Sequence, residues 1–334
     1  EVKLDSFKGS GDFFFTPQKG LEIKNANMDL SGRINNFEIK RLKGKGNLAF
    51  NNQGQLTTSQ ANHVTLETGI GLTVKGNMQL TQLDPHRLQV ASHTQIPVAL
   101  DYQHPQGKVK VNQAEFIGQM VFNDLTQELV FSTHPGQTLK MTSGEIEGMV
   151  FSDASLQNAS LTINPLTSNF SLEPLAGQSL TFNGKIEGLN VQNLQTNGSV
   201  HVDSKGPIIH WDKKVSVSLP YQGIEHLSSE GPVEVSLNPQ GEVTIHSEGG
   251  SINAKFGQFE VTDMKFQGKV TYNPQTGKLS FQGEQGGASH LSGNLNGYPF
   301  TVESSGSVQI QQKEEQYEII GEQLKLNGLI DGFS

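Results

Sequence analysis

A short motif recurs along the chain: a glycine followed by two apolar residues that alternate with other residues, Gly-x-Φ-x-Φ, where Φ is apolar. Such alternation places apolar side chains on one face of a β-strand, and the glycine suits the start of a strand, a bulge or a bend. Helical spacing of apolar residues is weak throughout. The motif therefore predicts an all-β protein of many short strands with little helix. Complete copies begin at ten positions: Gly46, Gly76, Gly107, Gly118, Gly198, Gly231, Gly241, Gly268, Gly277 and Gly306.

Turn sequences indicate how these strands pair. The Asn- and Gly-containing segments 50–54, 237–241 and 272–277 each separate two alternating runs, which predicts three antiparallel hairpins. The intervals between motif glycines are irregular, whereas a parallel β-helix or a propeller usually keeps a steadier period. We therefore prefer a meander, a sandwich or an open groove. Chance recurrence in a Gly-rich β-protein is the alternative explanation of the motif.

Composition limits the class of partner and the compartment. The 334 residues carry 24 Lys and Arg against 33 Asp and Glu, a net charge of −9, and no cysteine. No basic field exists to attract nucleic acid, and disulfides, thiolate metal sites and cysteine nucleophiles are excluded. A chain without cysteine suits an extracytoplasmic protein of the cell envelope, with a cytosolic protein as the alternative. We expect any signal or anchor to lie upstream of residue 1.

Domain boundaries are weakly marked. Pro and Gly cluster at 94–107 and at 206–231, where a β-layer is expected to break or turn. We therefore predict three stretches of one elongated architecture, 1–100, 101–215 and 216–334. A single continuous domain is the alternative.

Two longer units, 46–78 and 231–270, each read as strand, turn, strand, small residue, strand and glycine. The most characteristic tripeptides are Gly46-Asn47-Leu48 and Gly76-Asn77-Met78. In these features the sequence resembles the OstA-like lipopolysaccharide-transport family, over about 46–80 and 231–310, and is similar to the AsmA- and TamB-like envelope lipid-transport proteins. The resemblance implies an elongated antiparallel β-jellyroll, an open β-groove whose apolar interior shields acyl chains. It also implies a periplasmic, non-enzymatic lipid carrier or lipid bridge in outer-membrane biogenesis, for lipopolysaccharide or phospholipid.

The apolar positions after the motif glycines are the candidate lining of such a groove. Burying each lipid methylene against them gains about 0.8 kcal/mol, so an acyl chain needs no specific pocket. An ordinary closed sandwich core is the alternative role of the same residues. The predicted lining consists of Leu48, Phe50, Met78, Leu80, Met120, Phe122, Val200, Val202, Val270, Tyr272, Val308 and Ile310.

A groove also leaves unpaired strands at its ends. Such edges pair with another chain, so we expect an envelope protein partner bound through end-to-end strand pairing, in addition to the lipid. The run Phe13-Phe14-Phe15 lies on such an edge or fills the first core layer.

Catalytic signatures are weak, and no cofactor is predicted. Two His-x-Asp pairs place both side chains on one face of a strand, where they suit zinc or acid–base chemistry, but alternation with apolar residues favours a solvated outer face. Paired carboxylates are a further weak candidate, for glycoside hydrolysis. A structural or adhesive surface β-protein without lipid is the main alternative function, ahead of an enzyme. The residues concerned are His201, Asp203, His210, Asp212, Glu145, Glu147, Glu314 and Glu315.

Overall fold

A computed structural model describes the chain except residues 1, 35, 58, 94, 108, 147–148, 168, 187, 204–205, 212–214, 220–223, 230–232, 239, 258, 284–288, 314–315 and 329–334. The described residues contain no helix, hence none able to span a membrane, and form antiparallel β-sheets. The predicted all-β antiparallel fold is confirmed. Two compact units are present, Glu1–Leu175 and Ala176–Ser334. The three predicted stretches stay a prediction.

The first unit contains fourteen β-strands, of which the earliest are the longest. From β2 onward, buried residues alternate with more exposed ones along the strands, whereas β1 is exposed along most of its length. In chain order they are β1 Val2–Thr16, β2 Gly20–Ile34, β3 Phe37–Phe50, β4 Ser59–Thr68, β5 Leu72–Asp84, β6 Arg87–Ser92, β7 Val98–Gln103, β8 Val109–Phe116, β9 Gly118–Asn123, β10 Leu129–Thr133, β11 Thr138–Ile146, β12 Met149–Gln157, β13 Ala159–Asn164 and β14 Asn169–Pro174.

Strand β5 divides the sheet of this unit into two layers. Its first residues, up to Lys75, pair with β7, whereas its later residues, from Met78, pair with β6. Strands β7, β8, β11 and β12 continue the first layer, and β6, β9, β10, β13 and β14 continue the second. We call the place where a chain passes from the first to the second layer a corner.

Aromatic contacts show that the two layers pack face to face. Phe116 of the first layer meets Phe131 of the second with ring centroids 5.8 Å apart, and Phe151 meets Phe170 at 6.2 Å. Edge-on and tilted pairs of this kind contribute about 0.5–1.5 kcal/mol beyond the area they bury. The alternating apolar faces therefore meet between the layers, as the sequence pattern predicts.

The second unit contains fifteen strands. They are β15 Leu180–Ile186, β16 Leu189–Thr196, β17 Ser199–Asp203, β18 Gly206–Trp211, β19 Val215–Leu219, β20 Ile224–Ser229, β21 Val233–Leu237, β22 Val243–Phe256, β23 Phe259–Asn273, β24 Lys278–Gly283, β25 Ser289–Leu295, β26 Tyr298–Ser304, β27 Val308–Lys313, β28 Gln316–Gly321 and β29 Lys325–Gly328.

Long strands again divide this unit into two layers. Strand β22 pairs with β21 through its first half and with β20 through its second half, and β23 pairs in the same way with β25 and then β24. The first layer contains β15, β16, β19, β20, β25, β26 and β29, and the second contains β17, β18, β21, β24, β27 and β28. Phe256 and Tyr272 meet across the layers with centroids 5.6 Å apart.

The predicted hairpins at 237–241 and 272–277 join β21 to β22 and β23 to β24, so both are confirmed. The turn at 50–54 joins shorter antiparallel segments: Phe50 bridges Leu56, and the backbone N–H groups of Asn51 and Thr57 donate to the oxygens of Gln55 and Ala49. In all three, the first Asn accepts two backbone N–H groups through Oδ1. These Asx turns explain the recurrence of Asn at such positions.

The motif glycines fall into two structural classes. Those at Gly107, Gly241 and Gly277 lie in or beside hairpin turns, with φ between +63° and +80°. The other described motif glycines lie at corners, where the chain passes from the first layer to the second, either within one long strand or between two strands. The corner glycines are Gly46, Gly76, Gly118, Gly198, Gly268 and Gly306.

Close backbone approach explains why glycine occupies several corners. A Cβ atom on Gly46 would lie 2.1 Å from the backbone oxygen of Gln60, and one on Gly118 would lie 2.1 Å from that of Ser132. Only glycine permits this approach without moving the neighbouring strand. At these positions the motif glycine therefore lies at the corner itself.

One corner carries alanine in place of glycine. Between β12 and β13 the chain passes to the second layer at Ala159-Ser160-Leu161-Thr162-Ile163, in which alternate residues are buried. This position lies 41 residues after Gly118 and 39 residues before Gly198. The longest interval in the motif thus holds two repeats, and the spacing is more regular than the glycines alone indicate.

A second device at the corners is a bulged residue in the left-handed conformation. Asn25 and His63 have φ of 50° and 52°, and each donates its backbone N–H to the Oδ1 atom of an asparagine on the adjacent strand, Asn47 and Asn77. Each of these asparagines directly follows a corner glycine. The same arrangement joins Gln113 to Asp101, Asn193 to Asn183, and Asp263 to Asn253.

A pair of alanine substitutions tests the role of close approach. Gly46→Ala should lower the free energy of unfolding by about 1–3 kcal/mol more than Gly76→Ala, because only Gly46 has a backbone atom in the way. At Gly76 the nearest atom, Cα of Val98, would lie 3.4 Å from the new Cβ. Urea titration followed by circular dichroism measures both. Equal losses would contradict this explanation of the glycine.

The asparagine beside the bulge has its own test. Asn77→Ala removes the acceptor for the His63 N–H, and we expect it to cost about 1 kcal/mol of unfolding free energy. Asn27→Ala is the control, because Asn27 is exposed on β2 and no described contact uses its side chain. The same titration applies, and a loss no larger than that of the control would disprove a stabilising role.

Candidate functional site

The predicted lining residues lie on the second layer of each unit, six in the first unit and six in the second. All belong to second-layer strands, since each follows a corner glycine, and those with described side chains are turned toward the interior. The side chain of Val202 lies outside the described residues. The other eleven, Leu48, Phe50, Met78, Leu80, Met120, Phe122, Val200, Val270, Tyr272, Val308 and Ile310, are buried.

Side chains fill much of the space between the layers. Met78 and Val270 are 0% exposed, so each is covered by other side chains rather than lining an open trough. Burial of polar groups is rare there. The hydroxyl of Tyr102 has no described partner, and burial raises its pKa well above the usual range, which indicates an apolar surrounding. An acyl chain running along the whole interior would have to displace these buried side chains.

An apolar cavity lies at one end of the first unit, between β1, β2, β3 and the turn at 51–56. We call it the end cavity; its volume is about 300 Å³. That is at the lower limit for small-molecule sites and about twice the roughly 150 Å³ of a cavity that holds benzene. Its only amide side chains belong to Asn51 and Asn52. Its apolar lining comprises Leu4, Phe7, Phe15, Pro17, Leu21, Ile23, Leu30, Ile34, Leu42, Leu48, Phe50 and Leu56.

The mouth of the end cavity is formed by β1. Leu4 is 47% exposed and Phe15 72% exposed although both line the cavity, because β1 pairs with β2 alone among the described strands. Phe7 and Phe13 contact each other edge-on at 6.0 Å. Phe14 does not line the cavity and lies under the Lys24 ammonium, 5.3 Å from its ring centroid. The Phe run thus lies on an edge strand and is exposed.

A second cavity, the side cavity, lies between the two layers of the first unit on the side opposite the corners. Its volume is about 260 Å³, and Leu88, Val90 and Met120 contribute apolar lining. Phe37 at the tip of β3 meets Phe122 of the second layer edge-on at 5.9 Å and closes part of it. Met120 and Phe122 are predicted lining residues, so the predicted set contributes to both cavities.

Polar contacts between hairpin tips complete this closure. The Nδ1 atom of His86, on the β5–β6 turn, lies 3.2 Å from Nδ2 of Asn36 in the first layer and 2.9 Å from Oδ1 of Asp124. Farther along, Nε2 of His104 lies 2.7 Å from Oε1 of Gln127. A histidine therefore links the two layers at two places on this side.

Charged groups on the outer faces form ordinary ion pairs. Arg41 bonds to Asp29 through two nitrogens and lowers the pKa of that carboxyl group. Arg87 donates a single bond to Asp84 and lowers its pKa as well. Both carboxyl groups are exposed to solvent, so these pairs add little stability.

Of the candidate catalytic residues, the structure describes the side chains of His201 and Glu145, and both are exposed. His201 is exposed on β17, as alternation predicts. The side chains of Asp203, His210, Asp212, Glu147, Glu314 and Glu315 lie outside the described residues. Over the described part of the chain, no group of three His, Asp or Glu side chains is placed to hold a metal.

Sequence reasoning missed two kinds of interior residue. Leu161 and Ile163 are buried at 1% and 0%, in the corner copy that begins with alanine, and accepting Ala for Gly in the motif would have found them. The first-layer contributors, such as Ile23 and Leu42 at the end cavity, follow no glycine motif. The alternation of apolar and polar residues along β2 and β3 could have identified them.

Comparison with known proteins found no match among protein-family models, curated proteins or solved structures. The resemblance to OstA-like and to AsmA- and TamB-like proteins therefore stays a prediction.

Proposed function

We propose that the protein is a non-enzymatic lipid-binding or lipid-bridge protein of the periplasm, serving outer-membrane biogenesis. The end cavity holds a segment of an acyl chain from lipopolysaccharide or phospholipid. The observation that carries this proposal is an almost wholly apolar cavity of about 300 Å³ whose mouth is formed by exposed apolar side chains of β1.

Energetics favour an acyl chain over a polar ligand at this position. Desolvating a polar group there costs free energy, because Asn51 and Asn52 are the only amide side chains in the lining. Each methylene transferred from water gains about 0.8 kcal/mol. The lipid head group stays in water at the mouth, beside β1.

Adjacent phenylalanines on β1 provide a matched test. A photo-crosslinking benzoylphenylalanine at Phe15, which lines the cavity, should yield lipid adducts after incubation with envelope lipid extract. The same group at Phe14, which is exposed but outside the cavity lining, should yield far fewer. Mass spectrometry identifies the adducts and separates lipopolysaccharide from phospholipid. Absence of adducts at Phe15, or a yield there no higher than at Phe14, would refute lipid binding in the end cavity.

The free edge of β1 supports the proposed protein partner. Strand β1 spans 15 residues and presents one side without a partner among the described strands. Such an edge accepts a strand of another protein by main-chain hydrogen bonding, and the apolar interiors then become continuous.

Hydrogen exchange tests this pairing. In an envelope complex, the amides of β1 should exchange more slowly than in the isolated protein, whereas those of β8, which pairs with β7 and β11, serve as the internal reference. A complex that leaves β1 exchange unchanged would show that the partner binds elsewhere.

A structural β-protein without lipid is the second candidate. The full burial of Met78, Met120 and Val270 favours it, since a closed core needs no cargo. In that case the Phe15 cross-linker yields no lipid.

A further inference from the structure

The side of the first unit opposite the corners has no backbone link between its layers at Asn36, His86 and Asp124. These three residues belong to separate hairpin tips: Asn36 lies between β2 and β3, His86 between β5 and β6, and Asp124 between β9 and β10. His86 and Asp124 are in the second layer, and Asn36 is in the first. Only the Asn36–His86 bond of this group joins the layers.

Both contacts of His86 use Nδ1. The contact with Asn36 needs a lone pair on this nitrogen, whereas the contact with Asp124 needs an N–H. As a lone pair, Nδ1 accepts a hydrogen bond from the Nδ2–H of Asn36. As N–H, it donates to the carboxylate of Asp124, and the Asn36 amide then faces a donor. In the neutral ring that carries its proton on Nε2, Nδ1 accepts the bond from Asn36. Protonating this ring places an N–H on Nδ1 and moves the bond from between the layers to within the second layer.

We propose that Asn36, His86 and Asp124 form a proton-operated latch over the side cavity. Protonation of His86 releases Asn36, and the two layers then separate more often at the Phe37–Phe122 contact. The opened side cavity admits an acyl chain between the layers, a step that rests on the proposed lipid-binding function.

Several other charged groups lie near His86. On its own turn, Asp84 accepts the His86 backbone N–H and binds Arg87. Asp124 faces it from the second layer, and Arg33 and Glu38 line the same cavity from the first. Three carboxylates and two guanidinium groups therefore face His86, and acidification opens the latch by protonating the ring.

Cysteine accessibility measures the opening directly, because the chain has no cysteine of its own. Val90 is 0% exposed and lines the side cavity, so Val90→Cys reacts with a maleimide only when the layers separate. Its rate is divided, at each pH, by that of an exposed Gln53→Cys. From about pH 8 to about pH 5 the ratio should rise about two- to tenfold, the shift that loss of one hydrogen bond produces.

Replacing the Asn36 amide by a carboxylate should change how the Val90→Cys ratio responds to pH. In Asn36→Asp, the protonated imidazole has an acceptor in each layer, so the rise on acidification should be abolished or reversed. The control is His290→Gln: His290 lies 3.6 Å from Glu303 within one layer of the second unit, and its loss should leave the Val90→Cys ratio unchanged. A wild-type ratio that is constant with pH, or an unaltered rise in Asn36→Asp, overturns the latch.

Lipid entry is measured separately with parinaric acid, whose fluorescence increases in apolar surroundings. Its uptake should be faster at about pH 5 than at about pH 8 in the wild type, and this difference should be lost in Asn36→Asp. An accessibility rise without any uptake of parinaric acid keeps the latch and refutes the proposed lipid function. Uptake without an accessibility rise keeps lipid binding and refutes the latch.

Discussion

The bulged corner, where a strand passes from one layer to the other, is the constraint on which both units depend. At Gly46 and Gly118 a neighbouring backbone oxygen occupies the place of a side chain, and at Asn25 and His63 a left-handed residue donates to an asparagine across the strand pair. Bulges increase local twist and bend. By bending there, one long strand contributes to two facing layers, and its alternating residues remain on the inside of both.

Much of this arrangement was predictable from residue pattern. Alternation indicated the strands, and the turns beginning at Asn238 and Asn273 indicated antiparallel hairpins, because the local chemistry of Asn, Pro and Gly determines a turn without distant contacts. The apolar residues after corner glycines were identified as interior residues, and the described ones are buried in each unit. Their lipid contacts stay a prediction.

What the pattern did not reveal depends on contacts between distant strands. The motif search treated Gly107 and Gly46 alike, although one lies in a turn and the other at a corner, since a glycine's neighbours across the sheet are not visible in its own sequence. The corner at Ala159 was missed for the same reason: the local approach there accepts a Cβ atom. The cavities depend on which interior side chains fail to meet, and that is decided by the three-dimensional spacing of the layers.

The two sides of the first unit differ in the interactions that hold the two layers together. At the corners, β5 is a continuous chain, so separating the layers there would break backbone pairing along neighbouring strands. On the opposite side, the closure consists of side-chain contacts: the Phe37–Phe122 pair and hydrogen bonds through His86 and His104. A net hydrogen bond is worth about 0.5–1.5 kcal/mol, far less than a strand pairing. Thermal opening must therefore begin at the histidine side, with the corners as the hinge, and the interior side chains nearest the tips are the first to meet an incoming apolar chain.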